Sequence, residues 1–177
     1  MSLAHTNHNN AIYVSIGGNI DPRLHIDNCL QQLRRHFGVI ECSRSYESKA
    51  VGFEGDNFIN LVVKFSSDQD ILHVSGILRS IEDKEGRQRN NGKAFDSRTL
   101  DLDILLFGEH YGDVQGVELP RPEILEHAHV LLPLSELTGD LQHPELNKTY
   151  AEINRQLDFS EQEIWEVHTL SMENQGI

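Results

Sequence analysis

The chain has 177 residues, of which 38% are hydrophobic and 24% charged, and its net charge is −13. That length suits one domain with a proper core. The acidic balance excludes a protein that wraps a nucleic-acid backbone, and no run of about 18 apolar residues offers a transmembrane helix. Cys29 and Cys42 have no metal-ligand spacing and read as buried thiols. Residues 1–10 are polar and rich in His and Asn. They read as a disordered leader without the apolar stretch of a signal peptide, which makes the cytoplasm the expected compartment. Residues 11–177 are expected to form the single domain.

Ala11–Gly17 is apolar and ends in Gly17-Gly18-Asn19, a strand running into a tight turn. Pro22 suits the first turn of a helix, and Leu24, Ile26, Cys29, Leu30, Leu33 and Phe37 fit helical spacing up to a stop at Gly38. Val39–Ser48 predicts a second strand, Lys49–Asn57 a loop and Phe58–Phe65 a third strand. Asp68 is a fair cap for an amphipathic helix carrying Ile71, Leu72, Val74, Ile77, Leu78 and Ile81, running to about Glu85 and ending at Gly86. A polar loop, Arg87–Ser97, precedes a strand over Arg98–Phe107. The order is β-α-β-β-α-β, an α+β ferredoxin-like arrangement in which helices cover one face of an antiparallel sheet. Val117–Pro122 reads as extended, Ile124–Leu137 as short helical turns around Pro133, Tyr150–Leu157 as a helix and Gln162–Val167 as a strand, with Trp165 packed.

The last of the four main strands carries Arg98-Thr99-Leu100-Asp101-Leu102-Asp103-Ile104-Leu105. Side chains alternate along a strand, so Asp101 and Asp103 share a face, roughly 6–7 Å apart, while Leu100, Leu102 and Ile104 point the other way. Paired carboxylates among apolar residues repel each other and are costly to desolvate. Two readings follow: the solvated face of an edge strand, or a site for a hard divalent cation, Mg²⁺ above all, that would also hold phosphates. Arg79, Lys84, Arg87, Arg89, Lys93 and Arg98 cluster just upstream. In an acidic chain they offer a local pocket for a small phosphorylated ligand, although Glu82-Asp83-Lys84-Glu85 also reads as a solvated helix face.

Taken in order, Gly17-Gly18-Asn19, Tyr46 with Gly52, Phe58-Ile59-Asn60, Glu82, Gly86-Arg87-x-Arg89 and Arg98-Thr99-Leu100-Asp101-Leu102-Asp103 resemble 6-hydroxymethyl-7,8-dihydropterin pyrophosphokinases of folate biosynthesis, from about Ile12 to Leu137. The resemblance implies a ferredoxin-like fold and transfer of the β,γ-diphosphate of ATP to the pterin hydroxymethyl group, releasing AMP. It implies that Asp101 and Asp103 bind two Mg²⁺ ions and act in catalysis with Arg89 and Arg98. Arg87, Arg89, Arg98, Ile104, Arg121 and His127 would hold ATP, a task that suits the permanently charged guanidinium fork. Ser48, Val51, Phe58, Asn60 and His129 would hold the pterin, Phe58 by stacking and Asn60 by hydrogen bonding. Glu82 matches a helix carboxylate near the site. ATP and a pterin are the implied partners, with no nucleic acid and no membrane; a monomer is the expected state, with an oligomer left open.

The chain departs from the family pattern in its C-terminal half. Leu119-Pro120-Arg121-Pro122 places Arg121 where the family has histidine; His127 replaces an arginine and His129 an aromatic. Gly116 falls where some members carry arginine, Phe95 where tryptophan is common and Lys49 where proline is common. The alternatives to the pyrophosphokinase are a paralogue acting on another pterin, a non-catalytic pterin- or nucleotide-binding module, and a metal-dependent nucleotidyl-transfer palm domain. The acidic charge and the Phe58/Asn60 pair speak against the last.

Overall fold

The computed structural model describes residues 9–50, 52, 54–86 and 99–168. Strand β1 (Asn10–Gly18) leads to helix α1 (Pro22–Phe37), then β2 (Glu41–Cys42), β3 (Ser45–Ser48), β4 (Phe58–Ser67), helix α2 (Ile71–Lys84) and β5 (Asp101–Phe107). The sheet order is β5-β1-β4-β3, with β2 beside β4 and antiparallel pairing throughout. This is the expected ferredoxin-like split βαβ arrangement. Ile12, Val14 and Ile16 of β1, Leu61, Val63 and Phe65 of β4, and Leu100, Leu102 and Ile104 pack against Ile26, Leu30 and Leu33 of α1 and Val74, Leu78 and Ile81 of α2. The predicted alternation around Asp101 and Asp103 therefore stands. No described helix is long and apolar enough to cross a membrane.

The structure corrects several expectations. The predicted second strand is split, because Ser43 turns its side chain inward. Its Oγ accepts from Val62 N at 2.9 Å and donates to Arg44 O at 2.8 Å, while Arg44 N leaves the ladder for Glu136 Oε2 at 2.9 Å. Helix α2 is capped by Asp70 rather than Asp68: Asp70 is extended and accepts from His73 N at 2.8 Å. Leu24 and Leu72, counted among the apolar stripes, are exposed. The extended piece expected from Val117 is β7 (Val117–Leu119), and it pairs with an unforeseen strand, β6 (Gly112–Val114), in a hairpin that turns through Gln115 and Gly116. Both turn residues have positive φ, 53° and 85°.

Helices do not cover one face only. Beyond α3 (Glu123–Glu126), helix α4 (Ala128–Leu137) and helix α5 (Tyr150–Gln156) bury Val130, Leu131, Leu134, Tyr150 and Ile153 against Tyr13, Val62, Leu105 and Leu106 on the second face. Pro133 lies inside α4 rather than between turns. Strand β8 (Ile164–Val167) extends the sheet beside β3, and Trp165 on it is 41% exposed rather than packed. Cys29 is buried and Cys42 partly so, both free thiols.

A bulge explains how β5 serves both faces. Val14 opposes Ile104 but Tyr13 opposes Leu106, so Leu105 is an extra residue. Before it, Asp101 and Asp103 face away from α1 and α2. After it, Leu106 joins the second-face cluster and Phe107 returns to the first. Helices α4 and α5 leave one end of the second face uncovered, and the site lies there.

Candidate active site

Three strands build the floor of the site. Asn60 of β4, Gly17 of β1 and Asp101 of β5 form one register row across the sheet, and Ser15 lies opposite Asp103. Two strand spacings put Asn60 and Asp101 roughly 10 Å apart. Gly17 keeps the space between them open, since a Cβ there would stand 3.1 Å from Asn60 Oδ1. Asn60 is buried, and its Nδ2 donates to Ser48 Oγ at 2.9 Å. The amide orientation is thereby set by a neighbour rather than by solvent. Phe58, two residues earlier on the same face, borders the same cleft.

β5 is an edge strand, so its outward N–H groups need partners. Glu82 of α2 supplies one: its Oε1 accepts from Leu102 N at 2.8 Å, and the carboxylate is buried. That bond fixes the backbone between the two aspartates. The solvated-face expectation for Glu82-Asp83-Lys84-Glu85 thus fails at Glu82. It fails at Glu85 too, which accepts from His25 Nδ1 at 2.8 Å, Asn28 Nδ2 at 3.2 Å and Gln32 Nε2 at 3.0 Å.

The rim comes from the segment after β7. Arg121 N donates to Leu105 O at 3.0 Å, docking this segment on the bulge of β5. Arg121 Nη2 then reaches Asp103 Oδ1 at 3.0 Å, and its Nε lies 3.4 Å from Glu123 Oε1. The His127 and His129 rings stack, with centroids 5.1 Å apart and planes at 18°. Burial, with a smaller contribution from His127, pushes the His129 imidazole down to about 4. Near neutral pH, His129 is an uncharged flat ring turned to the cleft.

Ser48, Phe58, Asn60, Asp101, Asp103, Ile104, Arg121, His127 and His129 all line one open cleft of about 1160 Å³. Ile104 does so from the core beneath α2. Val51, Arg87, Arg89 and Arg98 lie outside the described residues. Sequence reasoning gave no site role to Ser15 or Gly17, which line this cleft together with Arg79, one of the cations expected to form a pocket for a phosphorylated ligand. The signal for the first two was present: small residues alternating with Val14 and Ile16 in an otherwise bulky strand. Gly116 owes its identity to the hairpin turn at φ 85°, where an arginine would be strained.

The donor set fits a hard cation. Asp101 and Asp103 present carboxylate oxygens from one face of a strand whose backbone Glu82 holds, and Asp103 already carries a cationic partner. Among the described residues no three His, Cys, Asp or Glu side chains converge as a complete metal cage. Mg²⁺ characteristically takes one or two carboxylates and completes its shell with water and substrate phosphates.

A family model described as 7,8-dihydro-6-hydroxymethylpterin-pyrophosphokinase matches residues 13–139. The 2-amino-4-hydroxy-6-hydroxymethyldihydropteridine pyrophosphokinase of Porphyromonas gingivalis is 37% identical over 143 residues, which cover 76% of this chain and 94% of the relative. Its namesake from Bacillus subtilis is 30% identical over 152 residues, covering 84% and 88%. A crystal structure of HPPK-DHPS from Plasmodium falciparum superposes with a TM-score of 0.67 at 14% identity. The match covers 86% of this chain but only 46% of that longer one, and at this identity the likeness is one of fold.

Proposed function

Since the chain belongs to the 7,8-dihydro-6-hydroxymethylpterin-pyrophosphokinase family, we infer that its cleft moves the β,γ-diphosphate of ATP onto the hydroxymethyl group of 6-hydroxymethyl-7,8-dihydropterin. AMP leaves, and the product feeds folate biosynthesis. The observation that supports this reading best is the row Asn60–Gly17–Asp101. An amide that can both donate and accept suits a pterin edge. A carboxylate pair roughly 10 Å across the floor suits the phosphates. The glycine between them leaves room for the hydroxymethyl group to reach from one to the other.

Pyrophosphoryl transfer depends on positioning and charge neutralisation more than on covalent chemistry. In this reading Asn60, oriented by Ser48, fixes the pterin ring, and Phe58 and His129 supply flat surfaces for it. A neutral His129 stacks without adding charge beside the ring. Arg121 and His127 would meet ATP, a task that the resemblance also gives to Arg87, Arg89 and Arg98. Asp101 and Asp103 would hold Mg²⁺, in two ions by the resemblance; when bound, the metal screens the phosphate charges and acidifies the attacking hydroxyl. Glu82 keeps the two carboxylates in register through the Leu102 amide.

The product pair tests the reaction. Mass spectrometry after incubation with ATP, Mg²⁺ and the pterin is expected to show AMP with pterin diphosphate. ADP with pterin monophosphate would mean attack at the γ-phosphorus and would overturn the assignment.

A further inference from the structure

Where the family resemblance places a histidine, this chain places an arginine, and that arginine is bonded to one of the two cleft aspartates. Its backbone is pinned, because Arg121 N donates to Leu105 O at 3.0 Å. Its guanidinium is not: 30% of the side chain is exposed, and 36% of that of Asp103. One end of the fork meets Asp103 Oδ1 at 3.0 Å and another lies 3.4 Å from Glu123 Oε1. A long side chain on a fixed root, held by carboxylates that water can reach, can change partners without moving the fold. A polyphosphate is the better partner, since it offers the fork more charge and several oxygens.

We infer that Arg121 is a displaceable counter-cation for Asp103. It neutralises that carboxylate before substrates arrive and passes to a phosphate of the incoming nucleotide, releasing Asp103 to the divalent ion. This rests on the pyrophosphokinase reading and deepens it. Metal and nucleotide binding are thereby coupled: each removes the partner that opposes the other, and the coupling is reciprocal. A neutral histidine at the same position would bring Asp103 no such charge. The arginine holds the charge at every physiological pH.

The test reads Mn²⁺ binding rather than turnover. Free Mn²⁺ is titrated by electron paramagnetic resonance against the whole chain, with and without α,β-methylene-ATP. Without nucleotide, R121Q is expected to bind Mn²⁺ about fivefold tighter than wild type, the scale of one partly exposed ion pair. The enhancement by α,β-methylene-ATP, marked in wild type, is expected to shrink in R121Q. D103N combined with R121Q is expected to lose the gain. R121H at pH 8, where imidazole is neutral, carries the same expectation should R121Q fail to fold. Nucleotide-free Mn²⁺ affinity that is unchanged or weaker in these variants, while wild type binds Mn²⁺ with the nucleotide, overturns the displacement alone. Mn²⁺ binding by none of them, with or without nucleotide, overturns the metal reading beneath it as well.

Discussion

Removing the Glu82 carboxylate is expected to loosen the strand that carries both aspartates. In Glu82→Ala the Leu102 N–H, now bonded at 2.8 Å and belonging to a buried residue, loses its acceptor. An orphaned buried donor costs about 1–3 kcal/mol, toward the upper end where the lost acceptor was a carboxylate. In a chain of this size each kcal/mol lowers Tm by about 2–4 °C, so a fall of about 3–10 °C is expected. Glu82→Gln keeps an oxygen at the same reach and is expected to lose less than half as much. Two assays separate this bond from general packing. Thermal unfolding followed by circular dichroism gives the stability difference. Amide hydrogen exchange at Leu102 is expected to accelerate strongly in the alanine variant and little in the glutamine variant. A Tm within about 1 °C of wild type for Glu82→Ala, or equal losses in both variants, would refute the reasoning.

Other consequences follow from single contacts. The unfolded chain protonates His129 near the usual pH of about 6.5, the folded chain only at about 4. Stability attached to this group is therefore intact above about pH 6.5 and is lost as the pH falls toward 4, by about 3 kcal/mol in all. Burial shifts His143 the same way, so denaturant titrations of His129→Phe against wild type between pH 7 and 4 isolate the share of His129; parallel curves would contradict it. Gly17→Ala brings a Cβ to 3.1 Å from Asn60 Oδ1, and pterin affinity by fluorescence titration is expected to fall several-fold with little change in Tm. Asp70→Ala is expected to cost about 1 kcal/mol through the lost helix cap, more than Asp68→Ala, and chemical denaturation of the two variants reads the difference directly.

The strands that form the floor were legible because β1, β4 and β5 are flanked by other strands or helices and carry dense apolar runs. Where such a run is interrupted at alternate positions by Ser15, Gly17, Asn60, Asp101 and Asp103, the interruptions mark the open end of one face. The cover of the second face was less legible. Pro133 suggested a break, yet α4 passes through it, missing only the N–H that the carbonyl of His129 would have received. Trp165 was expected inside because of its size, but it lies on a short strand paired with β3 alone. The second strand was read as one piece because nothing local shows that Ser43 would take over the Val62 amide. The Arg121–Asp103 pair was out of reach for a different reason. It depends on a bulge at Leu105 and on the docking of a distant segment there, and neither leaves a periodic trace in the sequence.

The most direct test of the account is the turnover of Asp101→Asn and Asp103→Asn with ATP, Mg²⁺ and 6-hydroxymethyl-7,8-dihydropterin, measured beside pterin binding by the same proteins. Were this pair to hold the divalent cation as proposed, losing either carboxylate would remove several kcal/mol of transition-state stabilisation, so kcat is expected to fall about a hundredfold or more. Pterin affinity, proposed to be set across the floor at Asn60, is expected to stay within a few-fold of wild type. Turnover that survives both substitutions would contradict the assignment of the chemistry to this pair of carboxylates.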